Sequence, residues 1–151
     1  MKDILLDQKD HDILHALSKN SRKTVADLSN ELGIPRATVH ERIMKLRKNG
    51  VIKRFTIEQD YGKVGLPTLA FVFISYDRTA AIDQHQLAKK VGEVGGVLGV
   101  YVVSGEWDLL IKVRGKSIEH IGTLIVDGIR KIPGIAKTHT IACFEVVKDE
   151  I

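Results

Sequence analysis

Between Arg36 and Arg54 the chain sets seven cations (Arg36, Arg42, Lys45, Arg47, Lys48, Lys53 and Arg54) against a single acid, Glu41. Thr38 and His40 stand among them. Guanidinium, ammonium, hydroxyl and imidazole groups at this density suit two kinds of contact with a polyanion. They neutralise phosphates, and they hydrogen-bond to base edges. The first 58 residues hold twelve Lys and Arg against eight Asp and Glu, and the rest hold eleven of each. The whole net charge of +4 therefore falls in the first part. A cationic run is by itself equally a solvated helix face, so the elements that carry it decide its meaning.

Those elements read as three helices and a short ribbon over residues 1–58. The first helix runs from about Asp7 to Lys19, with Asp7 as cap and Ile13, Leu14 and Leu17 at helical spacing. Thr24 caps a second helix, with Asp27 completing an approximate capping box and Val25, Leu28 and Leu32 facing inward. Gly33 stops it. A third helix is expected from Arg36 to Asn49, with Val39, Ile43 and Leu46 inward. Lys53 to Glu58 alternates like a strand and would form a basic wing. Two short helices joined by a tight Gly-containing turn, the second of them basic, make a helix-turn-helix. Arg36, Thr38, His40 and Arg42 then stand where a recognition helix meets the major groove, and Lys45, Lys53 and Arg54 beside the backbone. Thr24 and the amides that open the second helix suit a phosphate. The expected partner is double-stranded DNA.

Residues 59–67, polar and marked by Gly and Pro, read as a linker. Over 68–151 the pattern changes. Strands are expected at Thr68–Tyr76, Val97–Val103, Asp108–Val113 and Ile135–Val147, and helices at Ala80–Val94 and Ile118–Lys131. The order βαββαβ is the ferredoxin-like arrangement, giving an α+β chain. Two helices cover one face of a four-stranded sheet, yet the first strand is apolar on both: Leu69, Phe71 and Phe73 on one, Ala70, Val72 and Ile74 on the other. A second copy of the same sheet is the simplest cover, so a symmetric homodimer is expected. Paired recognition helices would then read pseudo-palindromic half-sites.

Other classes are set aside. At 151 residues, 44% hydrophobic and 28% charged, the composition is that of a globular chain with one domain or two small ones. No apolar run approaches the ~18 residues a membrane span needs. The opening MKDILLDQKDH is charged too early for a signal peptide, and a cytoplasmic location with no membrane partner is expected. One cysteine, Cys143, excludes an internal disulfide framework and multi-cysteine zinc. Its apolar strand suits a small buried hydrophobe better than a nucleophile. His11 and His15 are four apart on the first helix without a third ligand in view, and no metal is expected. Gly92, Gly95, Gly96 and Gly99 follow a helix, not a strand, so they fail the context of a dinucleotide loop. No catalytic triad, kinase or P-loop pattern occurs, and neither a catalytic residue nor a cofactor is expected.

Taken together, LDQKDHDIL, LSNELGIPRATVHERIMKLRKNGVIKRFTI, SGEWDLLIKV and IPGIAKTHT resemble the Lrp/AsnC group of transcription regulators, also called feast/famine regulatory proteins, in order and spacing along nearly the whole chain. The resemblance implies an N-terminal winged helix-turn-helix and a C-terminal ligand-sensing (RAM/ACT-like) domain. It also implies dimers that assemble into tetramers or octamers, and a small effector, commonly an amino acid. Pro35 departs from the pattern, since many members carry a serine cap there; its fixed φ still suits a helix start.

For an amino-acid effector, the residues suggest a set. Backbone amides at Ser104-Gly105 suit the carboxylate, and Asp108 the ammonium. Thr138 and Thr140 offer hydroxyls, and Tyr101, Val103 and Trp107 could line a pocket. The resemblance implies such sites at the hairpin loop between neighbouring dimers. The same Gly-x-x-Asp is also a good turn, and Thr a good strand residue. Two alternatives stay open: an effector-independent architectural DNA-binding protein, and an enzyme similar to the sirohaem decarboxylases of the same layout.

Overall fold

The computed structural model describes residues 5–149, in two compact units that divide between Glu58 and Gln59. In the first, α1 (Gln8–Lys19), α2 (Val25–Leu32) and α3 (Arg36–Lys48) pack around Ile13, Leu17, Leu28, Ile34, Val39 and Leu46. Polar caps set two of the helix starts. Asp7 Oδ1 accepts from the Asp10 amide at 3.0 Å, and Asp10 Oδ2 accepts in return from the Asp7 amide at 3.2 Å. Thr24 and Asp27 repeat the exchange on α2. Such boxes satisfy amides that a helix start leaves without partners. Gly33 ends α2 at φ 65°, a left-handed conformation that costs glycine little. Pro35 precedes α3 and makes no side-chain cap.

The expected wing strand is corrected. Residues 53–60 carry no strand in the chain as described. A strand exists only where its amides and carbonyls meet a partner. Here one side chain reaches the segment: Ser21 Oγ donates to the Thr56 carbonyl at 3.0 Å. Phe55 and Ile57 are left exposed.

In the second unit β1 (Thr68–Tyr76), β2 (Val97–Val102), β3 (Leu109–Gly115) and β4 (Ile135–Ala142) form an antiparallel sheet in the order β2-β3-β1-β4. Ala70, Val72 and Ile74 of β1 and Leu109, Ile111 and Val113 of β3 bury one face against α4 (Gln84–Gly92) and α5 (Ile118–Thr123) with its continuation. Asp83, not a residue near Ala80, opens α4, because Asp77 Oδ1 accepts from the Thr79 amide and hydroxyl and holds the preceding residues in a turn.

Two further boundaries move. Ile118–Lys131 is not one α-helix: α5 passes into a π turn at Leu124–Gly128 and a 3₁₀ turn at Ile129–Lys131. Ile121, Ile125 and Ile129 are all buried. Residues four apart drift about 40° round a straight α-helix at each step, and the wider π turn offsets that drift. β4 stops at Ala142 rather than Val147: the Cys143 amide still donates to the Leu69 carbonyl beside the start of β1, and among the described residues no backbone hydrogen bond to a strand follows. The tail then carries Asp149 to Lys112 and Arg114.

The second sheet face is covered at one end only, where Asp149 of the tail meets Lys112 and Arg114. Cross-strand partners share a face, so Phe71, Phe73, Leu110, His139, Ile141 and Tyr101 lie together on it. Ile141 and Tyr101 are 47% and 52% exposed. Leu69, at the end of the row, is buried. Among the described residues no helix is long and apolar enough to cross a membrane.

Candidate functional site

The outward surface of α3 is set by its inward one. Val39 and Leu46 are buried and Ile43 packs against them. At 100° per residue the opposite arc presents Ala37, Glu41, Met44 and Lys48. Arg36, His40 and Arg47 run along one flank, and Thr38 and Lys45 along the other. Arg36, His40, Lys45, Arg47 and Lys48 are exposed and Thr38 is half-buried. Lys53 and Arg54 are exposed on the extended segment that follows, where the Arg47 guanidinium lies 5.9 Å from the Phe55 ring centre.

Two expected members of this set are engaged elsewhere. Arg42 turns back to α1, where its Nη1 donates to Asp7 Oδ1 at 2.6 Å and Asp10 Oδ1 at 2.9 Å. Asp10 is buried, and a buried carboxylate needs a charge partner. The Arg42 hydrogen bond holds the Asp7 carboxyl below the usual carboxylate range, and Asp7 in turn raises Arg42. Arg42 is thus a strut between α1 and α3 rather than a member of the outward face. The Thr24 hydroxyl is used twice within its capping box: it accepts from the Asp27 amide and donates to Asp27 Oδ2 at 2.7 Å. That donation is the main cause of the lowered Asp27 pKa, so an anion already sits at the start of α2. No pattern in the sequence distinguishes Arg42 from the outward cations, since Arg36 stands as near the core arc.

The expected effector residues fall in three places. Ser104 and Gly105 lie in the β2–β3 connection, with Gly105 at φ 117°. Asp108 ends that connection and is bound into the sheet. Its Oδ2 accepts from the Tyr76 amide at 2.8 Å, its amide donates to the Ile74 carbonyl, and its own carbonyl accepts from Val103 and from Gln84 Nε2. One carboxylate oxygen therefore fastens the hairpin to β1. Trp107 is on the open face, 5.9 Å from both Phe73 and His139, and Lys137 Nζ lies 5.2 Å from its ring centre. Tyr101 shares that face and Val103 follows it by two. Thr138 and Thr140 pair with Ile74 and Val72, so they belong to the helix-covered face. One chain thus does not gather the threonines and Asp108 into one site.

A groove of about 320 Å³ follows the edge strand instead, lined by Arg130, Ile135, Ala136, Lys137 and Thr138. Arg130 Nε donates to Thr138 Oγ1 at 2.8 Å. Sequence reading missed Arg130, whose link to Thr138 spans the Pro133-Gly134 turn and has no local spacing signal. Among the described residues no three His, Cys, Asp or Glu come together as metal ligands.

The family model described as winged helix-turn-helix DNA-binding matches residues 6–53, and the one described as Lrp/AsnC ligand binding domain matches residues 69–151. An uncharacterized HTH-type transcriptional regulator of Pyrococcus abyssi is 44% identical over 147 residues, covering 97% of this chain and 98% of its own. The structure of Escherichia coli AsnC aligns at a TM-score of 0.86 and 26% identity, covering 98% of each chain. A transcriptional regulator of Neisseria meningitidis, solved as a complex with L-methionine, aligns at 0.89 over 97% of this chain and 94% of its own. At 22% identity that last likeness carries the fold alone. With both domain models matched in order and the first relative aligned nearly end to end, the chain belongs to the Lrp/AsnC family of HTH-type transcriptional regulators.

Proposed function

We propose that this protein binds specific DNA sequences as a symmetric dimer and that a small amino-acid effector alters its binding or its assembly. The observation that carries the DNA part is the solvent side of α3, where His40 with Arg36 and Arg47 on one flank and Thr38 with Lys45 on the other stand clear of the apolar arc that the core consumes. Thr38 and His40 meet base edges, with Arg36 at the helix start. Lys45, Lys53 and Arg54 meet phosphates. Arg42 and Thr24 act one step back, by holding α3 and α2 in place. The dimer forms through the open sheet face, where Ile141 and Tyr101 are exposed and Phe71, Phe73 and Leu110 half-buried in one chain, and dimers build tetramers or octamers. The role is regulatory, not enzymatic, it needs no metal or cofactor, and its place is with DNA in the cytoplasm.

A domain of this family and a shared fold with a protein that holds L-methionine support the effector part. Because Asp108 and the threonines lie apart in one chain, the site is completed between copies: the hairpin with Ser104, Gly105 and Trp107 from one, and the β4 edge with Thr138 and Thr140 from another. A ligand bridging copies acts on assembly in proportion to its differential affinity for the assembled state.

Fluorescence anisotropy on a duplex from the protein's own upstream region, across a salt series, tests the DNA reading. Binding that beats a scrambled duplex and weakens steeply with salt is expected, and Lys45→Ala is expected to lower the logarithmic salt slope by about one. Equal binding to both duplexes would overturn sequence specificity and leave an architectural role.

A further inference from the structure

The β4 groove carries an electrostatic feature that an amino-acid site does not require. Two of its five lining residues, Arg130 and Lys137, are cations, and among the described residues no acid lines it. The nearest acid along the chain to Arg130, Asp127, is taken up by Lys131 at 3.1 Å. Arg130 is not a loose surface side chain. Thr138 Oγ1 holds its Nε at 2.8 Å, and no ion pair to a carboxylate is found for it among the described residues. A guanidinium fixed through Nε leaves the fork of its two terminal nitrogens free, which is the geometry that takes a carboxylate through two parallel bonds. Lys137 is likewise held, over the Trp107 ring. Ile135 and Ala136 supply the apolar part of the lining, so the preference for an anion rests on the two cations.

We propose that the groove takes the anionic side chain of an acidic ligand, so that the effector is a dicarboxylate, either an acidic amino acid or a diacid without the amine. Arg130 binds the side-chain carboxylate, Lys137 adds positive charge on the other side of the strand, and Thr138 positions Arg130. The inference rests on the effector reading above and narrows it. Lys137 and Thr138, which holds Arg130, leave β4 on opposite faces, and among the described residues no acid lines the groove, so an anion there meets uncompensated positive charge. A neutral side chain gains nothing from the same pair.

Thermal unfolding of the full chain tests this, with glutamate, aspartate, succinate, glutamine, methionine and leucine titrated separately at constant ionic strength. Glutamate, aspartate or succinate is expected to raise the midpoint with a saturable concentration dependence, and glutamine and methionine are not. Arg130→Gln is expected to weaken the response by about tenfold or more, and Arg130→Lys, which keeps the charge but loses the fork, by less. Arg130 is exposed, so neither change disturbs the core. A response to succinate alone would identify the diacid as the source; a response to glutamate or aspartate alone would identify the amino acid. Methionine or leucine acting equally on the natural chain and Arg130→Gln would overturn the acidic preference and leave the effector reading intact. No response to any of the six would overturn both.

Discussion

Helix α3 and strand β4 each present cations beside hydroxyls on an outward surface, yet α3 holds its surface ready in one chain and β4 does not. On α3 a helical period divides residues cleanly: Val39 and Leu46 go in, and His40, Lys45 and Lys48 come out. On β4 the period is two, so neighbours part to opposite faces. Thr138 and Thr140 go to the helix side, while His139 joins Trp107 on the open side. A groove-reading helix works as a single ridge. A sheet edge acquires a site when something else approaches it.

That contrast breaks first at the open face. Phe73→Glu puts a charge in the middle of Phe71, Leu110, His139 and Trp107. Sedimentation is expected to show monomers, and DNA affinity is expected to fall by about 10²–10⁴, the amount that linking two binding modules contributes. A stable dimer with unchanged affinity would mean that the copies meet elsewhere. By the same logic, His40→Ala leaves assembly intact and is expected to narrow the preference for the natural duplex over the scrambled one by about 5- to 100-fold. An equal loss on both duplexes would move His40 from base to backbone.

The three-helix unit was the more legible of the two. Its caps Asp7 and Thr24, its Gly33 stop and its inward residues all follow from short-range patterns, and the structure has them in those roles. The βαββαβ order of elements and the apolar second face of the first strand were also readable, because alternation is local. What was not readable depends on partners far along the chain. Residues 53–58 have the composition of a strand but no neighbour to pair with. Arg42 looks like its neighbours until Asp7 and Asp10 are seen to claim it across 35 and 32 positions. Asp108 has the chemistry of an ammonium acceptor, but the Tyr76 amide takes one of its oxygens. Electrostatic type is written locally, and engagement is not.

Arg42 therefore gives a sharper test than any outward cation. Arg42→Ala leaves the buried Asp10 without its charge partner, and the cost of that falls on folding. Calorimetry is expected to show a lower unfolding midpoint for the variant, with the salt slope of DNA binding unchanged. Lys45→Ala is expected to do the reverse. Thr24→Ala is expected to cost about 1 kcal/mol, the ordinary value of a helix cap, again without touching the slope. A reduced slope for Arg42→Ala would return it to the phosphate-binding set.

The smallest effect is expected at the other end of the chain. Asp149 is held by Lys112 at 2.5 and 2.6 Å and by Arg114 at 3.5 Å, and the Arg114 guanidinium lies 4.1 Å from the Tyr61 ring centre. The Lys112 ammonium is the main reason the Asp149 carboxyl sits below its ordinary 3.8, against a smaller opposing effect of burial. A carboxyl whose pKa is lower folded than unfolded stabilises the fold fully above the unfolded value. It loses that contribution as pH falls through the folded one. Urea midpoints of the natural chain and Asp149→Asn are therefore expected to differ most near neutral pH and to converge below 3.8. The Asp7 and Asp27 carboxyls are lowered too, so acid weakens both units, and the variant's difference isolates the tail. A gap that persists unchanged into acid would mean that the tail is held by packing of its apolar residues and not by the charge on Asp149.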